Sequence, residues 1–552
     1  PLLLLALSGA CGLAWQMAWT ASFAVALGHE LVAVLAVLGA FFGGLAGGSW
    51  LLAKRLERSA RPGLWSGALE AVVGLWGLLL VLVLPDLATP LARWLGPQPA
   101  PWLHVAAALL VPCVLLLPAT LAMGATLPAL ERQLRGSGLP VLPALYAGNT
   151  FGAFAGLVVA VWFSLPDLGV RATAFGCAGA NLLCGAVALA VWGRARIAVG
   201  REVPAGPVAF GVPGCRLLLT GLAGIGYEVL VLRVLAQVTE STVYTYAVLL
   251  AVFLLGTAIG AALWRRAVVT ETALADQVDR LLLWLSFALL AGGVSLFWAD
   301  HLVAWPARAF GAGVGTALLG EALAGAAAML LPTLVMGALF PALCRQAQSR
   351  GWPLGRAVAV NTLGAALAPV LVGAVLVPLL GARLVLVALA LVYIALRSAR
   401  SWQSPHAAWA VGLAAALALL APALRFIDVP EGGRVLSHQE GAMASVSVVA
   451  DADDVARLHI NNRVQEGSTA GGLVEVRLAQ LPLLLHEAPR RALFLGLGTG
   501  YTAHAAAVDP RVSVRAVELL PEVARASQLF MLRPAAPRAA HPVEIVTADA
   551  RR

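Results

Sequence analysis

The sequence predicts a polytopic α-helical membrane bundle of two six-helix repeats plus one extra helix, followed by a Rossmann-type, doubly wound α/β domain. Three observations predict it. Of 552 residues 60% are hydrophobic and 12% charged, with mean hydropathy +0.87; a soluble globular chain carries roughly 25% charge. The apolar windows copy one another at a constant offset. From Arg425 onward the charges balance, 14 Arg against 14 Asp+Glu, and a strand runs into a glycine-rich turn. An ordinary soluble enzyme and a polar disordered chain are both excluded.

Apolar windows lie at 2–27, 31–53, 64–84, 103–130, 142–165 and 171–193, and again at 214–237, 243–264, 281–299, 312–343, 357–379 and 383–397. At roughly 20 residues per crossing, the chain has room for a dozen spans. A thirteenth, Ala407–Leu424, is just long enough. The first repeat is therefore placed at 1–200, the second at 213–400 and the extra helix at 405–425, with Gly193–Pro213 as the hinge between halves. The start, residues 1–27, is too long and too uniformly apolar for a signal peptide and reads as the first membrane helix. The chain opens at Pro1 and stops at Arg552 in mid-motif, so it reads as an incomplete stretch of a longer protein. Six cysteines without a CxxC pair argue against a disulfide framework or a cysteine metal site, and no metal is expected.

The repeat is explicit. Leu121-Ala-Met-Gly-Ala-Thr-Leu-Pro-Ala-Leu130 returns as Leu334-Val-Met-Gly-Ala-Leu-Phe-Pro-Ala-Leu343. Asn149-Thr150-x-Gly152 returns as Asn361-Thr362-x-Gly364, and Leu165-Pro166-x-x-Gly169-x-Arg171 as Val377-Pro378-x-x-Gly381-x-Arg383. Gly12, Gly44 and Gly48 recur at Gly224, Gly256 and Gly260. Six spans per copy make the repeat parallel, as in the two halves of major-facilitator transporters.

Loop charge orients the bundle. The loops after even-numbered spans hold eighteen Lys and Arg, from Lys54 to Arg400, against only Arg93, Arg171, Arg308 and Arg383 in the opposite loops. The basic excess of 37 over 28 is thus topological, with no nucleic-acid partner implied. The even ends are expected in the cytoplasm. If 407–424 crosses once more, beside the interfacial Trp409, the tail lies outside the cytoplasm.

Polar residues inside spans are costly and are candidate sites. Glu228, followed by Arg233, has Gln16 at the matching place of the first copy; it serves either a cation or proton path or a local pairing. Glu70 and Glu321 have apolar counterparts and read as protonated or paired structural groups. Asn149 and Asn361 are expected to bond between helices. The Pro118/Met123-Gly124 and Pro332/Met336-Gly337 segments look like matched breaks in two helices, either a transport site or a kink.

In the tail, Arg490–Leu495 is an apolar strand entering Gly496-Leu-Gly498-Thr499-Gly500, with a helix from Tyr501. A second strand, Val512–Val517, ends in Glu518; a third, Val543–Val546, leads to Asp549. Glycines let a backbone approach a ligand closely, and a carboxylate ending the second strand can accept both ribose hydroxyls.

Gln439-Glu-Gly-Ala-Met-Ala-Ser-Val-Ser-Val-Val449, His459-Ile-Asn-Asn-Arg-Val-Gln465, Leu481-Pro-Leu-Leu-Leu-His486, the glycine turn, Val517-Glu518 and Ala548-Asp549-Ala-Arg-Arg552 together resemble the spermidine synthase-like domain. With Gly226-Tyr-Glu-Val-Leu-Val-Leu-Arg233, the whole chain looks like the bacterial fused polytopic membrane/spermidine synthase-like proteins. The resemblance implies a multi-pass protein of the bacterial inner membrane and a small β-subdomain at 430–470 before a methyltransferase-like nucleotide domain at 471–552. It implies decarboxylated S-adenosylmethionine, or a related adenosyl thioether, as donor and a polyamine or other amine as acceptor. Gly496, Gly498, Thr499, Gly500, Glu518 and Asp549 would hold the donor. Thr499 stands where the family has an aspartate, and Val474-Glu475-Val476 stands where it has Tyr-His-Glu, so the polyamine-side contacts are altered. The family's catalytic aspartate falls beyond Arg552. Two readings stay open: a membrane-tethered aminopropyltransferase-type enzyme, and a transporter or complex-assembly scaffold with a degenerate tail.

Overall fold

The structure, a computed structural model, describes residues 1–27, 30–95, 101–135, 141–197, 209–265, 271–534 and 536–548. Helix dominates. Helices α1 (Leu2–Leu27), α2 (Glu30–Glu57), α3 (Pro62–Leu95), α4 (Pro101–Leu134), α5 (Val141–Val159) and α6 (Gly169–Trp192) precede α7 (Gly211–Leu235), α8 (Val243–Trp264), α9 (Glu271–Ser295), α10 (Ala299–Phe310), α11 (Val314–Ser349), α12 (Leu354–Ala368) and α13 (Val377–Ala395). Two short helices, α14 (Ala399–Trp402) and α15 (Pro405–Leu420), complete the apolar part. Ten stretches among the described residues are long and apolar enough to cross a membrane, consistent with a multi-pass membrane protein. Two of them, Val141–Trp192 and Leu354–Ala395, are interrupted at Gly169 (φ 78°) and Gly381 (φ 77°). Only glycine adopts that backbone without strain, so each interruption sits where the sequence offers one. Most of the hinge expected at Gly193–Pro213 falls outside the described residues.

The chain divides into two compact units. The first is Pro1–Leu235, Thr239–Val372 and Arg383–Pro422; the second is Ala236–Val238, Gly373–Ala382 and Ala423–Arg552. Within the first, α1 packs on α5, α2 on α4, and α3 on α4 and α6; α7 packs on α12, and α8 and α9 on α11. Contacts α2–α12 and α5–α8 join the earlier helices to the later ones. Small residues set the approach. A Cβ on Gly9 would collide with the carbonyl of Asn149, and one on Gly221 with that of Asn361. Gly44 lies in the same way against Thr120, and Gly256 against Thr333. Between helices in lipid, packing of this closeness supplies much of the cohesion. At the arginine-rich end, buried Arg216 bonds Asp279 at 2.7 Å and Gln346 at 3.1 Å, and Ser401 also donates to Asp279 (2.5 Å), so both charges are compensated.

The expected breaks at Pro118 and Pro332 are not breaks. Helices α4 and α11 run through them without interruption. A proline leaves the carbonyl four residues earlier without its helical donor. The carbonyl of Ala328, freed by Pro332, takes the Tyr227 hydroxyl at 2.8 Å; that of Gly124, freed by Pro128, takes the Ser49 hydroxyl at 2.6 Å. Neighbouring helices thus supply the missing donors. The thirteenth apolar segment is helical over Pro405–Leu420, shorter than 407–424 suggested at its far end, because Pro422 lies where the helix would continue.

In the second unit, strands β1 (Arg434–Glu440), β2 (Ser445–Ala450), β3 (Ala456–Ile460) and β4 (Arg463–Ser468) form an antiparallel sheet in sequence order. Helix α16 (Gly472–Leu485) leads to β5 (Arg491–Leu495), α17 (Tyr501–Ala506), β6 (Ser513–Glu518), α18 (Pro521–Met531) and β7 (Glu544–Thr547). Strands β5, β6 and β7 are parallel neighbours in that order. One core joins Val446, Val448 and Leu458 to Tyr501 and Phe530; another gathers Ala503, Ala506, Val512, Val514 and Ala516.

Candidate functional site

Parallel strands end at a common edge, and the chain leaves β5 there through three glycines with positive φ: Gly496 (109°), Gly498 (57°) and Gly500 (86°). No side chain other than glycine holds such a series cheaply. Space above Gly496 is open, with nothing within 4 Å of where its Cβ would stand. The turn is fixed from below by the Gly496 N–H, which donates to the Val517 carbonyl at 2.8 Å, and by the Gly500 N–H, which donates to Leu497 at 2.9 Å.

Glu518, buried at the end of β6, closes the site. Its Oε2 accepts the Leu497 N–H at 3.0 Å and the Gly498 N–H at 3.4 Å, while Oε1 accepts the Leu520 N–H at 2.9 Å. A carboxylate offers about four acceptor positions, so Oε1 keeps capacity for a ligand hydroxyl. The sequence paired Glu518 with the turn by spacing alone; the structure brings them into hydrogen-bond contact.

Thr499 does not share that arrangement. Its side chain is buried, and its hydroxyl donates to Glu475 Oε2 at 2.6 Å. Glu475, in the first turn of α16, is half-buried, and that burial raises its pKa, against the lowering effect of the Thr499 hydroxyl. The phenol of Tyr501 is pushed up by burial and then by Glu475, with Arg533 opposing; its hydroxyl has no partner among the described residues. Sequence reasoning named Glu475 only as part of an altered acceptor-side segment and gave it no place at the glycine turn. Its position in the segment ahead of Leu481-Pro482 was the available signal. Asp549 lies outside the described residues.

Among the described residues, the polar positions that the sequence paired between the halves, Asn149 and Asn361, lie at separate helix contacts. Asn361 Nδ2 donates to the Leu217 carbonyl at 2.9 Å, tying α12 to α7, and Asn149 lies against Gly9 between α5 and α1. No hydrogen bond to the Glu228 side chain is found among the described residues, and its carboxyl is buried. Glu321 Oε1 accepts the Thr245 hydroxyl (2.9 Å) and the Glu240 N–H (3.1 Å), which ties α11 to the segment that enters α8. Comparison with protein-family models and with curated proteins gives no match.

Proposed function

We propose that the second unit binds an adenosyl thioether, and that the chain is a membrane-tethered, spermidine synthase-like transferase that passes an alkyl group such as aminopropyl to an amine. The observation that carries this reading is the bonding of Glu518 to the N–H groups of Leu497 and Gly498 at the open end of β5 and β6. That geometry supports a ribose on the carboxylate and an adenosyl chain over the glycines. Glu475 gives the turn a second carboxyl group. Calorimetry on the full chain in detergent, with 5′-methylthioadenosine as probe, tests the reading. Glu518→Gln should weaken binding by roughly 1.5–3 kcal/mol, the scale of a hydrogen bond to a charged group. Equal affinity in both proteins removes Glu518 from the site.

A second reading, transport by a bundle of two parallel six-helix repeats, has its own support. The contacts Gly9–Asn149 and Gly221–Asn361 stand 212 residues apart at both ends, and Gly44–Thr120 and Gly256–Thr333 stand 212 and 213 apart. The pairs α2–α12 and α5–α8 exchange under the same offset. In this account the tail lies outside the cytoplasm. Supporting that, Arg383 in α13 donates to the Ala421 carbonyl beyond one end of α15, and Arg397 past the other end of α13 donates to Ser404 (3.4 Å) at the opposite end of α15. The two helices thus run antiparallel over one depth. An external tail would need its donor delivered, which the bundle could do.

A further inference from the structure

We propose that Glu70 is a proton-binding site of the helical unit, with a water-sized cavity beside it on the side of the arginine-rich end of the bundle. Its carboxyl is buried on α3, eight residues into the helix. Oε1 accepts the Ser8 hydroxyl at 2.5 Å and Oε2 the Asn181 amide at 2.7 Å. The indole N–H of Trp15 donates to Asn181 Oδ1 at 3.0 Å, which fixes the amide so that its NH₂ faces Glu70. Every donor is neutral. The titratable neighbours are thiols, Cys11 on α1 and Cys184 on α6, and α4 contributes Thr126. No salt bridge reaches Glu70 among the described residues. An ionised carboxylate held away from water and without a cation is costly, and the two donated hydrogen bonds offset part of that cost, so the group is poised between its charged and neutral forms.

The carboxyl has room beside it for water. A cavity of ≈ 20 Å³ adjoins it, lined by Leu4, Ser66, Glu70, Thr126, Leu130 and Trp192 among others. One water needs roughly 10–15 Å³ and polar partners, which the carboxyl and the two hydroxyls provide. Leu4 opens α1, Leu130 lies near the end of α4, and Trp192 ends α6, so the cavity points to the end that carries Arg61, Arg132 and Arg194.

The fold has no need of a carboxyl here. At the positions 212 residues later stand Thr220, Leu282 and Tyr393; the latter two are fully buried, and the Tyr393 hydroxyl donates to the Thr220 carbonyl at 3.4 Å. The later helices fill with a leucine and a ring the space where the earlier ones keep an acid, an amide and room for water.

Infrared difference spectroscopy of the full chain in liposomes, across a pH series, tests this. The expected result is a protonated-carboxyl band that is present in acid, lost reversibly in alkali and missing from Glu70→Gln, an isostere that retains contact with Ser8 and Asn181. Ser8→Ala should shift the same band by removing its hydrogen bond. Identical carboxyl bands in wild type and Glu70→Gln overturn the proposal. So does a Glu70 band that persists unchanged at every pH at which the chain stays folded.

Discussion

Glu518 accepts the backbone N–H of Leu497 at 3.0 Å, across 21 residues of sequence. The strand-end carboxylate and the glycine turn are therefore one structure, held by bonds to a charged acceptor, the stronger class of hydrogen bond. Replacing Glu518 by Ala leaves the N–H groups of Leu497, Gly498 and Leu520 without that acceptor. We expect the second unit to lose roughly 1–3 kcal/mol, read as faster hydrogen exchange in α17 and β6. Unchanged exchange would show that the turn stands without the carboxylate.

The close helix approaches should respond alike in both halves. Gly9→Ala and Gly221→Ala each push a methyl into a backbone carbonyl, of Asn149 and Asn361 respectively. Overpacking of this kind costs about 1–3 kcal/mol. Gly12→Ala, with nothing within 4 Å of the new Cβ, is the control. Thermal unfolding in detergent should be lowered by the first two and not by the third; a Gly221 variant as stable as the control would break the correspondence.

Burial lowers the pKa of His459 from its ordinary value near 6.5, with Asp428 opposing and Arg457 assisting, and His438 stands across Ser447 on the same sheet face. The unfolded chain therefore takes up the proton first as pH falls. The stabilising effect is complete above the ordinary value and is lost as pH drops through it toward the depressed one, by at most about 1.4 kcal/mol per pH unit for one proton. Protection factors of the β2 and β3 amides, taken relative to intrinsic exchange at each pH, should fall between about pH 7.5 and 5.5, and His459→Gln should flatten that response. A slope unaltered by His459→Gln assigns it to another group.

The antiparallel course of α15 against α13 predicts where the tail lies. With Cys215 replaced by Ser and exposed Ala488 by Cys, a membrane-impermeant thiol reagent should label intact cells. Labelling only after lysis puts the tail inside.

The sequence made the apolar helices legible because length and hydropathy determine them, and it made β5, β6 and β7 legible because each glycine or carboxylate fell at a strand end. What it missed depended on partners far along the chain. Pro332 looked like a break because nothing local shows that Tyr227, over a hundred residues earlier, supplies the donor that Ala328 lacks. Thr499 looked ligand-facing because a turn residue usually is; Glu475, from a preceding helix, draws it inward. Glu70 read as structural because its counterpart is apolar; the cavity beside it depends on packing between α1, α3, α4 and α6, which no local pattern shows.

The most direct test of the adenosyl-site proposal is hydrogen–deuterium exchange of the full chain with and without 5′-methylthioadenosine. The account predicts saturable protection concentrated at residues 496–500 and 518–520, where the turn and Glu518 meet. Protection elsewhere, or none at saturating nucleoside, would contradict it.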